Sequence, residues 1–187
     1  MFFRVSQGFA RDILFAHGTL APEDPGGDGV PLVKPVMAGR HGPAPQLIRL
    51  PSLQAETQHL IHMLGKMRAA GTLWHQMAVL YAAPFIGEKV AAAFTAAGIP
   101  LEWLKDSRSK RYNASHPSIK LMHLKSSNGL EFPVVAIAGV GHLPYESPVD
   151  DARLLYVGMT RATERLLMTA SRTSDFVERL RDFEQAA

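Results

Sequence analysis

Arg161 stands at the junction of two elements that the sequence predicts close to its C-terminal end. The stretch 150–171, DDARLLYVGMTRATERLLMTAS, begins with Asp150 and Asp151, continues with apolar residues at helical spacing, and ends with an apolar strand pattern at 165–171. Acidic residues favour the N-terminus of a helix. Two roles are open for Arg161: a cation that neutralises the end of the helix dipole, or a guanidinium whose planar fork meets a phosphate.

A turn-rich loop, KSSNGLEF, carries Lys125, Gly129 and Glu131 between two apolar strand patterns. In a mostly parallel sheet, ligands collect at the carboxyl ends of the strands, because the polar loops project there. We therefore expect the loops 82–88 and 125–131 to share one edge of the sheet. The end of the helix before Arg161 is a further candidate for that edge.

The densest basic patch of the chain is the segment 105–112, KDSRSKRY, with the cations Arg108, Lys110 and Arg111 near its centre. Two interpretations are open for this segment. It is either a solvated surface loop, or a group of cations that meets phosphates beside aromatic rings that stack on bases.

His59 and His62 lie on one face of a predicted helix, as zinc ligands could. No third ligand lies nearby in the sequence, so we interpret both as solvated histidines and predict no metal site. The chain contains no cysteine, which excludes disulfides, thiolate zinc sites and cysteine nucleophiles.

The composition is that of a soluble folded protein, with 47% hydrophobic and 20% charged residues among 187. The formal net charge of +3 allows a polyanionic partner without requiring one. The first residues lack the pattern of a signal peptide, and no apolar window reaches the length of a membrane span. We therefore expect a cytoplasmic protein without membrane contact.

The chain divides into three parts by composition. Residues 1–18 contain a predicted helix from Ser6 to Gly18, and residues 19–45 form a Pro/Gly-rich linker or loop. From residue 46 to 187, strand patterns alternate with helical patterns. The predicted strands are 46–50, 77–81, 101–104, 119–124, 133–140 and 165–171, and the predicted helices are 52–70, 84–97, 150–162 and 175–183.

This alternation predicts an α/β fold with a mostly parallel sheet and helices on both faces. Several of the strands are continuously apolar, as expected for strands that are covered on both sides. No GxxxxGK[ST] segment is present, so the chain cannot cradle the phosphates of a nucleotide in the usual P-loop way.

Two segments resemble motifs of the UvrD/Rep branch of superfamily 1 DNA helicases. The segment 119–135, IKLMHLKSSNGLEFPVV, is similar to motif V of that family, usually close to VTLMTxHxxKGLEFxxV. The segment 150–167, DDARLLYVGMTRATERLL, is similar to motif VI, usually close to EERRLLYVAxTRAxxxL. The second match is the more specific, particularly because the following residues agree in one register: Arg153, Leu154, Tyr156, Val157, Thr160, Arg161 and Ala162.

Weaker similarities extend the resemblance over most of the chain. The segment 77–100 looks like the motif IV region, and Phe3-Arg4-Val5-Ser6 looks like the NYRS segment at the edge of the first motor domain of the family. The resemblance implies that residues 46–187 are the second RecA-like motor domain, commonly called 2A, of a P-loop NTPase motor. Residues 1–18 would then be a helix at the edge of the first motor domain.

The resemblance also implies roles for individual residues. Arg161 would be the arginine finger, Gly129 and Glu131 would line the nucleotide, and the loop 123–128 would face DNA through His123, Lys125, Ser126 and Asn128. ATP and Mg²⁺ would be bound mainly by the other motor domain, which carries the P-loop. The expected partners are single-stranded or partly duplex DNA and that N-terminal P-loop domain of the same natural chain. This chain alone would then have no ATPase activity.

The sequence departs from the family pattern at several of these positions. Glu88 stands where motif IV offers a phosphate-binding arginine, so Lys89 beside it becomes the candidate for that contact. In motif V, His123 replaces Thr, Lys125 replaces His and Asn128 replaces Lys. Only residues 101–118 fill the place of the large 2B insertion, so no 2B domain is expected.

These departures leave a second function open beside the helicase motor. The chain could be a degenerate RecA-like module that binds DNA or protein without ATP turnover. A third interpretation, an unrelated doubly wound nucleotide- or metabolite-binding domain, would require the motif VI match to be a coincidence.

Overall fold

The structure is a computed structural model that describes residues 43–105 and 113–186. The predicted helix 6–18, most of the predicted linker 19–45, and the cations Arg108, Lys110 and Arg111 lie outside the described residues.

The described chain forms six strands and four helices. In chain order they are β1 (Gln46–Arg49), α1 (Leu53–Ala69), β2 (Met77–Tyr81), α2 (Pro84–Ala96), β3 (Leu101–Leu104), β4 (Ile119–His123), β5 (Phe132–Ala138), α3 (Pro148–Met159), β6 (Ala162–Ala170) and α4 (Asp175–Ala186). Short 3-10 turns at Trp74–Gln76, Leu124–Ser127 and Val140–His142 complete them. Every predicted strand and helix in the described part of the chain is present, with shifts at some boundaries.

The strands form one sheet in the order β1-β6-β5-β2-β4-β3, and all neighbouring strands are parallel. The sequence prediction of a mostly parallel sheet is therefore confirmed. Because the strands are parallel, all of them begin at the same edge of the sheet. Crossover connections, most of which contain a helix, return the chain to that edge before each new strand. We call the two edges the amino edge and the carboxyl edge, after the strand ends that they carry.

Helices cover both faces of this sheet, as predicted. One face carries α3 and α4, which bury Leu155, Met159, Phe176 and similar residues against inward side chains of β5 and β6. The other face carries α1 and α2 with their own buried apolar stripe. Side chains along each strand alternate between the two cores, which explains why β2 is buried along its whole length.

The last strand begins earlier than the sequence pattern indicated. The prediction placed its start at Arg165, but β6 begins at Ala162, which pairs with Phe132 of β5. The backbone N–H of Phe132 donates to the carbonyl of Arg161 at 2.9 Å and extends this pairing by one residue. Arg161 is therefore the joint between α3 and β6, rather than a residue of the last helical turn.

The connection from β4 to β5 passes beneath α3. Its 3-10 turn places Leu124 in the core below that helix, and Gly158 of α3 lies directly above it. A Cβ atom on Gly158 would come within 2.3 Å of Leu124 Cδ2, and Leu124 is fully buried. Gly158 is thus needed for the close approach of α3 to this connection.

We predict that Gly158→Ala lowers the free energy of unfolding by about 1–3 kcal/mol, because the added methyl group overpacks the contact with Leu124. The measurement is urea unfolding of the 187-residue chain. Gly65 in the middle of α1 is the matched control, because a Cβ atom there would meet nothing within 4 Å. Gly65→Ala should raise stability by about 0.5–1 kcal/mol through helix propensity. A stabilising Gly158→Ala would contradict the tight packing of α3.

Candidate functional site

The guanidinium of Arg161 is held entirely by neutral acceptors. Its Nε donates to the carbonyl of Val157 at 3.0 Å, one terminal nitrogen donates to the carbonyl of Leu130 at 3.3 Å, and the other donates to Thr160 Oγ1 at 3.1 Å. No carboxylate among the described residues lies within 4.0 Å of it. Arg161 is therefore a fixed, partly buried cation that forms no ion pair within the described part of the chain.

The structure brings the loop 129–131 to Arg161. The carbonyl of Leu130 accepts a hydrogen bond from Arg161. Glu131, the next residue, is exposed and directly precedes β5. Gly129 has φ of 80°, a conformation that favours glycine, and open space surrounds it. These residues form one cluster, the amino-edge site: Arg161, Gly129 and Glu131 with their neighbours Thr160 and Leu130.

His123 ends β4 at the opposite edge of the sheet. Its Nδ1 accepts from the backbone N–H of Lys125 at 3.0 Å, so Nε2 carries the proton and donates to the carbonyl of Ala82. Both ring nitrogens are thus used within the protein. His123 ties the loop after β2 to the loop after β4, and it positions Lys125 rather than offering a free hydrogen-bonding group.

An aromatic pocket lies beside His123 at the carboxyl edge. Its volume is about 430 Å³, and it is bounded by Tyr81, Trp103 and His123 with polar groups around them. The indole N–H of Trp103 donates to the hydroxyl of Tyr81 at 2.9 Å, and the Tyr81 ring stands edge-on to His123 at 5.6 Å. Lys105 lies 4.0 Å from the centre of the Trp103 ring. Burial raises the pKa of Tyr81, so its hydroxyl stays protonated.

Lys125 extends from the carboxyl edge into solvent and pairs with Glu146 at 2.9 Å. Both side chains are more than half exposed, at 54% and 59%. The hydrogen bond between them raises the pKa of Lys125 and lowers the pKa of Glu146. Because exposed ion pairs are weak, this one leaves Lys125 available to an anionic ligand that competes with Glu146.

Asp151 organises the turn that carries Glu146. Its buried Oδ2 accepts three backbone N–H groups, from Tyr145 at 2.6 Å, Glu146 at 3.0 Å and Ser147 at 3.3 Å. The sequence indicated a helix-dipole role for the acidic pair Asp150–Asp151, but it did not reveal this anchoring of the turn. Tyr145, the first residue of this turn to donate to Asp151, is 51% exposed at the carboxyl edge.

The predicted site residues therefore fall into two groups at opposite edges. His123, Lys125 and Ser126 lie at the carboxyl edge, while Arg161, Gly129 and Glu131 lie at the amino edge. The expectation that the whole loop 125–131 shares an edge with the loop after β2 is wrong for its second half. Since β4 and β5 are parallel, the chain must travel back along the sheet between Lys125 and Glu131.

Two predicted contacts remain apart from the cluster assigned to them. Lys89 is exposed on α2, which starts at the carboxyl edge on the face opposite α3, so the structure does not bring it to Arg161. Asn128 is exposed in the middle of the β4–β5 connection, between the two groups. At the start of α3, Arg153 forms an ion pair with Asp150, with the two charged groups 3.5 Å apart.

The pairing of Trp103 with Tyr81 was not predicted from the sequence. Their positions in the sequence could have indicated it. Tyr81 ends one predicted strand shortly before Pro84, and Trp103 lies near the end of another shortly before Lys105. Among the described residues, no three His, Cys, Asp or Glu side chains are grouped as metal ligands. In the same part of the chain, none of the helices combines the length and apolarity needed to cross a membrane.

Burial lowers the pKa of His123 and of His142 below the ordinary value of 6.5. Below pH 6.5 the unfolded chain therefore binds more protons at these residues than the folded one, and stability falls as the pH is lowered through that range. We predict that the NMR titration midpoint of His123 lies below 6.5 in the folded chain. A midpoint above this value would contradict the hydrogen-bonded neutral imidazole.

The variant His123→Gln provides the matching stability experiment. It should reduce the loss of unfolding free energy between neutral pH and the acid side of pH 6.5, because one of the two depressed histidines is removed. The comparison of variant and parent separates the histidine from carboxylates that titrate in both.

Comparisons with known proteins agree with this architecture and with the motifs. Residues 99–173 match the family model of the UvrD-like helicase C-terminal domain. The ATP-dependent DNA helicase Rep of Escherichia coli (strain K12) is 44% identical over 59 residues, which are 27% of this chain and 9% of that protein. DNA helicase II of the same strain is 40% identical over 65 residues, which are 30% of this chain and 9% of its own length.

A solved structure also supports the fold. The C-terminal domain of a possible DNA helicase from Lactobacillus plantarum WCFS1 superimposes with a TM-score of 0.68 at 17% identity, covering 95% of this chain and 91% of that one. The sequence matches confirm the resemblance of this chain to the C-terminal domain of UvrD/Rep-like helicases, and the solved structure confirms the α/β fold. The matches span only 9% of the length of the curated relatives.

Proposed function

We propose that this chain, whose residues 99–173 match the UvrD-like helicase C-terminal domain, is the second motor domain of an ATP-dependent superfamily 1 DNA helicase. In this role it supplies an arginine finger from its amino edge and part of a single-stranded DNA track from its carboxyl edge. It acts in the cytoplasm together with a P-loop domain of the same natural chain, and it has no ATPase activity alone.

The observation that carries this proposal is the uncompensated charge of Arg161. A structural arginine in a partly buried position usually pairs with a carboxylate, because burying an unbalanced charge is costly. Arg161 is instead oriented by three neutral acceptors, in Val157, Leu130 and Thr160. A phosphate presented by a second domain would supply the missing negative charge, and the guanidinium fork suits its oxygens.

The residues around Arg161 fit one side of a nucleotide site and not a complete one. The chain has no P-loop sequence, so the phosphates of ATP and the associated Mg²⁺ must be held mainly by the other motor domain. ATP would supply the phosphoryl group whose transfer to water drives the motor. Gly129 and Glu131 would border the sugar side, and Arg161 would stabilise the charge that develops on the transferred group.

The carboxyl edge supports the DNA half of the proposal. Lys125 and Lys105 are exposed cations there, and the aromatic side chains Phe85, Trp103 and Tyr145 follow or end neighbouring strands. Single-stranded nucleic acids bind to surfaces that combine cations with rings on which bases stack. His123 contributes by positioning Lys125, and Ser126 adds a hydroxyl donor beside it.

The connection 124–131 would couple the two halves. It begins next to Lys125 at the DNA side and ends at Glu131 beside Arg161, and it packs under α3 through Leu124 and Gly158. A displacement of Lys125 by DNA would therefore act on the same packed segment that borders the guanidinium. This arrangement favours a motor in which the DNA and the nucleotide influence one another.

We predict that Arg161→Ala in the assembled two-domain protein lowers DNA-stimulated ATP hydrolysis by roughly a thousandfold or more, because the fork no longer stabilises the transferred phosphate. Arg161→Lys should restore little of this rate, since an ammonium lacks the planar fork. Steady-state ATPase assays with and without single-stranded DNA measure the effect. Single-stranded DNA affinity should stay nearly unchanged in both variants.

Arg165 provides the matched control for that experiment. It is exposed on β6 four positions further along the chain, so Arg165→Ala removes a nearby positive charge without touching the joint. This variant should retain parental turnover. If Arg161→Ala also retained it, the arginine-finger assignment would be lost, and a module that binds DNA or protein without ATP turnover would become the better account.

The basic segment 105–112 gives an independent prediction for the DNA half. We expect that replacing Arg108, Lys110 and Arg111 together with Gln weakens single-stranded DNA binding and lowers the slope of log affinity against log salt by about 2. The estimate follows from roughly 0.7 released counterions per phosphate contact on single strands. Fluorescence anisotropy over a salt series measures the slope, and an unchanged slope would identify this segment as a solvated surface.

A further inference from the structure

We propose that the pocket at the carboxyl ends of β2, β3 and β4 holds the base of one unpaired nucleotide and favours bases that carry an amino group on their pairing edge. This inference rests on the proposed function, since it concerns the same DNA-binding edge. It adds a base-binding subsite that the phosphate contacts of Lys125 and Ser126 do not require.

The size and lining of the pocket suit a nucleotide. Its volume of about 430 Å³ lies within the range of roughly 300–1,000 Å³ that small-molecule sites occupy. Three rings and a proline line it, together with two lysines, a carboxylate and a hydroxyl. The residues are Tyr81, Pro84, Glu88, Trp103, Lys105, His123, Lys125 and Ser126.

The aromatic part of the pocket is fixed before any ligand arrives. Trp103 is held by its hydrogen bond to Tyr81, and Tyr81 is held in turn by its edge contact with His123. Gly87 allows this packing, because a Cβ atom there would meet the Tyr81 ring at 2.6 Å. A fixed ring loses little conformational entropy when a base stacks on it, which favours binding.

The lysine on the Trp103 ring suggests how the pocket opens. Lys105 covers the indole at 4.0 Å in a cation–π contact, and such contacts contribute only about 0.5–1 kcal/mol at exposed sites. The phosphate of an incoming nucleotide attracts the ammonium more strongly than the ring does. Lys105 would then move to the phosphate and leave the indole face for the base.

Glu88 gives the pocket its base preference. It lies on the wall of the pocket, and its negative charge contributes to the raised pKa of Tyr81, which places the two side chains near each other. A carboxylate accepts hydrogen bonds from amino groups and repels carbonyl oxygens, so it accepts from the N4 amino group of cytosine. Thymine offers a carbonyl at the same position and would be disfavoured.

Other ligand classes fit this set of groups less well. A free phosphate needs no aromatic wall, and Glu88 would repel it. A cationic ligand would meet the two lysines, Lys105 and Lys125. A nucleotide within a strand uses all three features together: a ring for stacking, amino groups for the carboxylate, and phosphates for the lysines.

The test uses the 187-residue chain and fluorescent single-stranded oligonucleotides of about eight nucleotides, oligo(dC) and oligo(dT). Trp103→Leu and Lys105→Ala are compared with Trp74→Leu and Arg68→Ala. The second pair is a matched control, because Arg68 lies 5.9 Å over the Trp74 ring just before β2, at the amino edge. Circular dichroism confirms that each variant is folded.

We expect Trp103→Leu to weaken oligo(dC) binding by about tenfold or more, and the Trp74 and Arg68 variants to bind as the parent does. In a Trp74→Phe background, oligonucleotide binding should quench the emission of Trp103, the remaining tryptophan. A folded Trp103→Leu variant that binds like the Trp74 control would overturn the pocket while leaving the proposed helicase function intact. Absence of DNA binding in the parent chain would overturn both the pocket and the DNA track.

Glu88→Gln tests the base preference separately from folding, because Glu88 is exposed. The parent should bind oligo(dC) a few-fold more tightly than oligo(dT), and the variant should bind both almost equally, since an amide both donates and accepts. Its affinity for oligo(dT) should rise, because the negative charge that repels the thymine carbonyl is lost. An unchanged ratio of the two affinities would exclude Glu88 as the discriminating group.

Discussion

The return of the chain from the carboxyl end of β4 to the amino end of β5 is the constraint on which the site depends. The two strands are parallel and β2 lies between them, so the connecting segment must run the length of the sheet. It does so beneath α3, where the buried Leu124 meets Gly158. This close packing fixes α3, and with it the joint at Arg161, relative to the segment that borders it. One short stretch of chain thus carries cations and hydroxyls at one end and the neighbours of a guanidinium at the other.

Much of this architecture could be predicted from the sequence, because its signals are local. The continuous apolar runs of β2 and β5 indicated strands that are covered on both faces, and the ends of α1 and α2 lie close to their predicted positions. The motif in α3 and β6 identified Arg161 before any contact was known. Even the short last helix was predicted from spacing alone, and its Phe176 and Val177 are fully buried.

What the sequence did not reveal depends on contacts between distant elements. In β4, Lys120 is fully buried, and Glu102 on the neighbouring strand pairs with it, a contact that no local sequence pattern indicates. The ring of His123 bridges to Ala82, 41 positions away, and so loses the free nitrogens that a DNA contact would use. Lys89 was the candidate for a phosphate contact because it stands beside the aligned position of Glu88, but the path of α2 carries it away from Arg161. Linear spacing holds no information about which edge of a sheet a loop reaches.

The ion pair between Lys125 and Glu146 has a consequence for how an anion would be received. A phosphate that binds Lys125 must displace the carboxylate of Glu146, which is already 2.9 Å away. The ammonium of Lys125 is therefore paired with an anion both before and after binding. Pairing of Lys125 with a phosphate releases cations condensed on the nucleic acid, but the carboxylate of Glu146 that is freed attracts cations in turn, so the net release of ions is smaller at this position. Glu146 therefore occupies the position beside Lys125 that the phosphate of a ligand would take. The turn held by Asp151 keeps Glu146 in place. Before an anion binds, Lys125 is therefore already oriented at the surface with its charge paired.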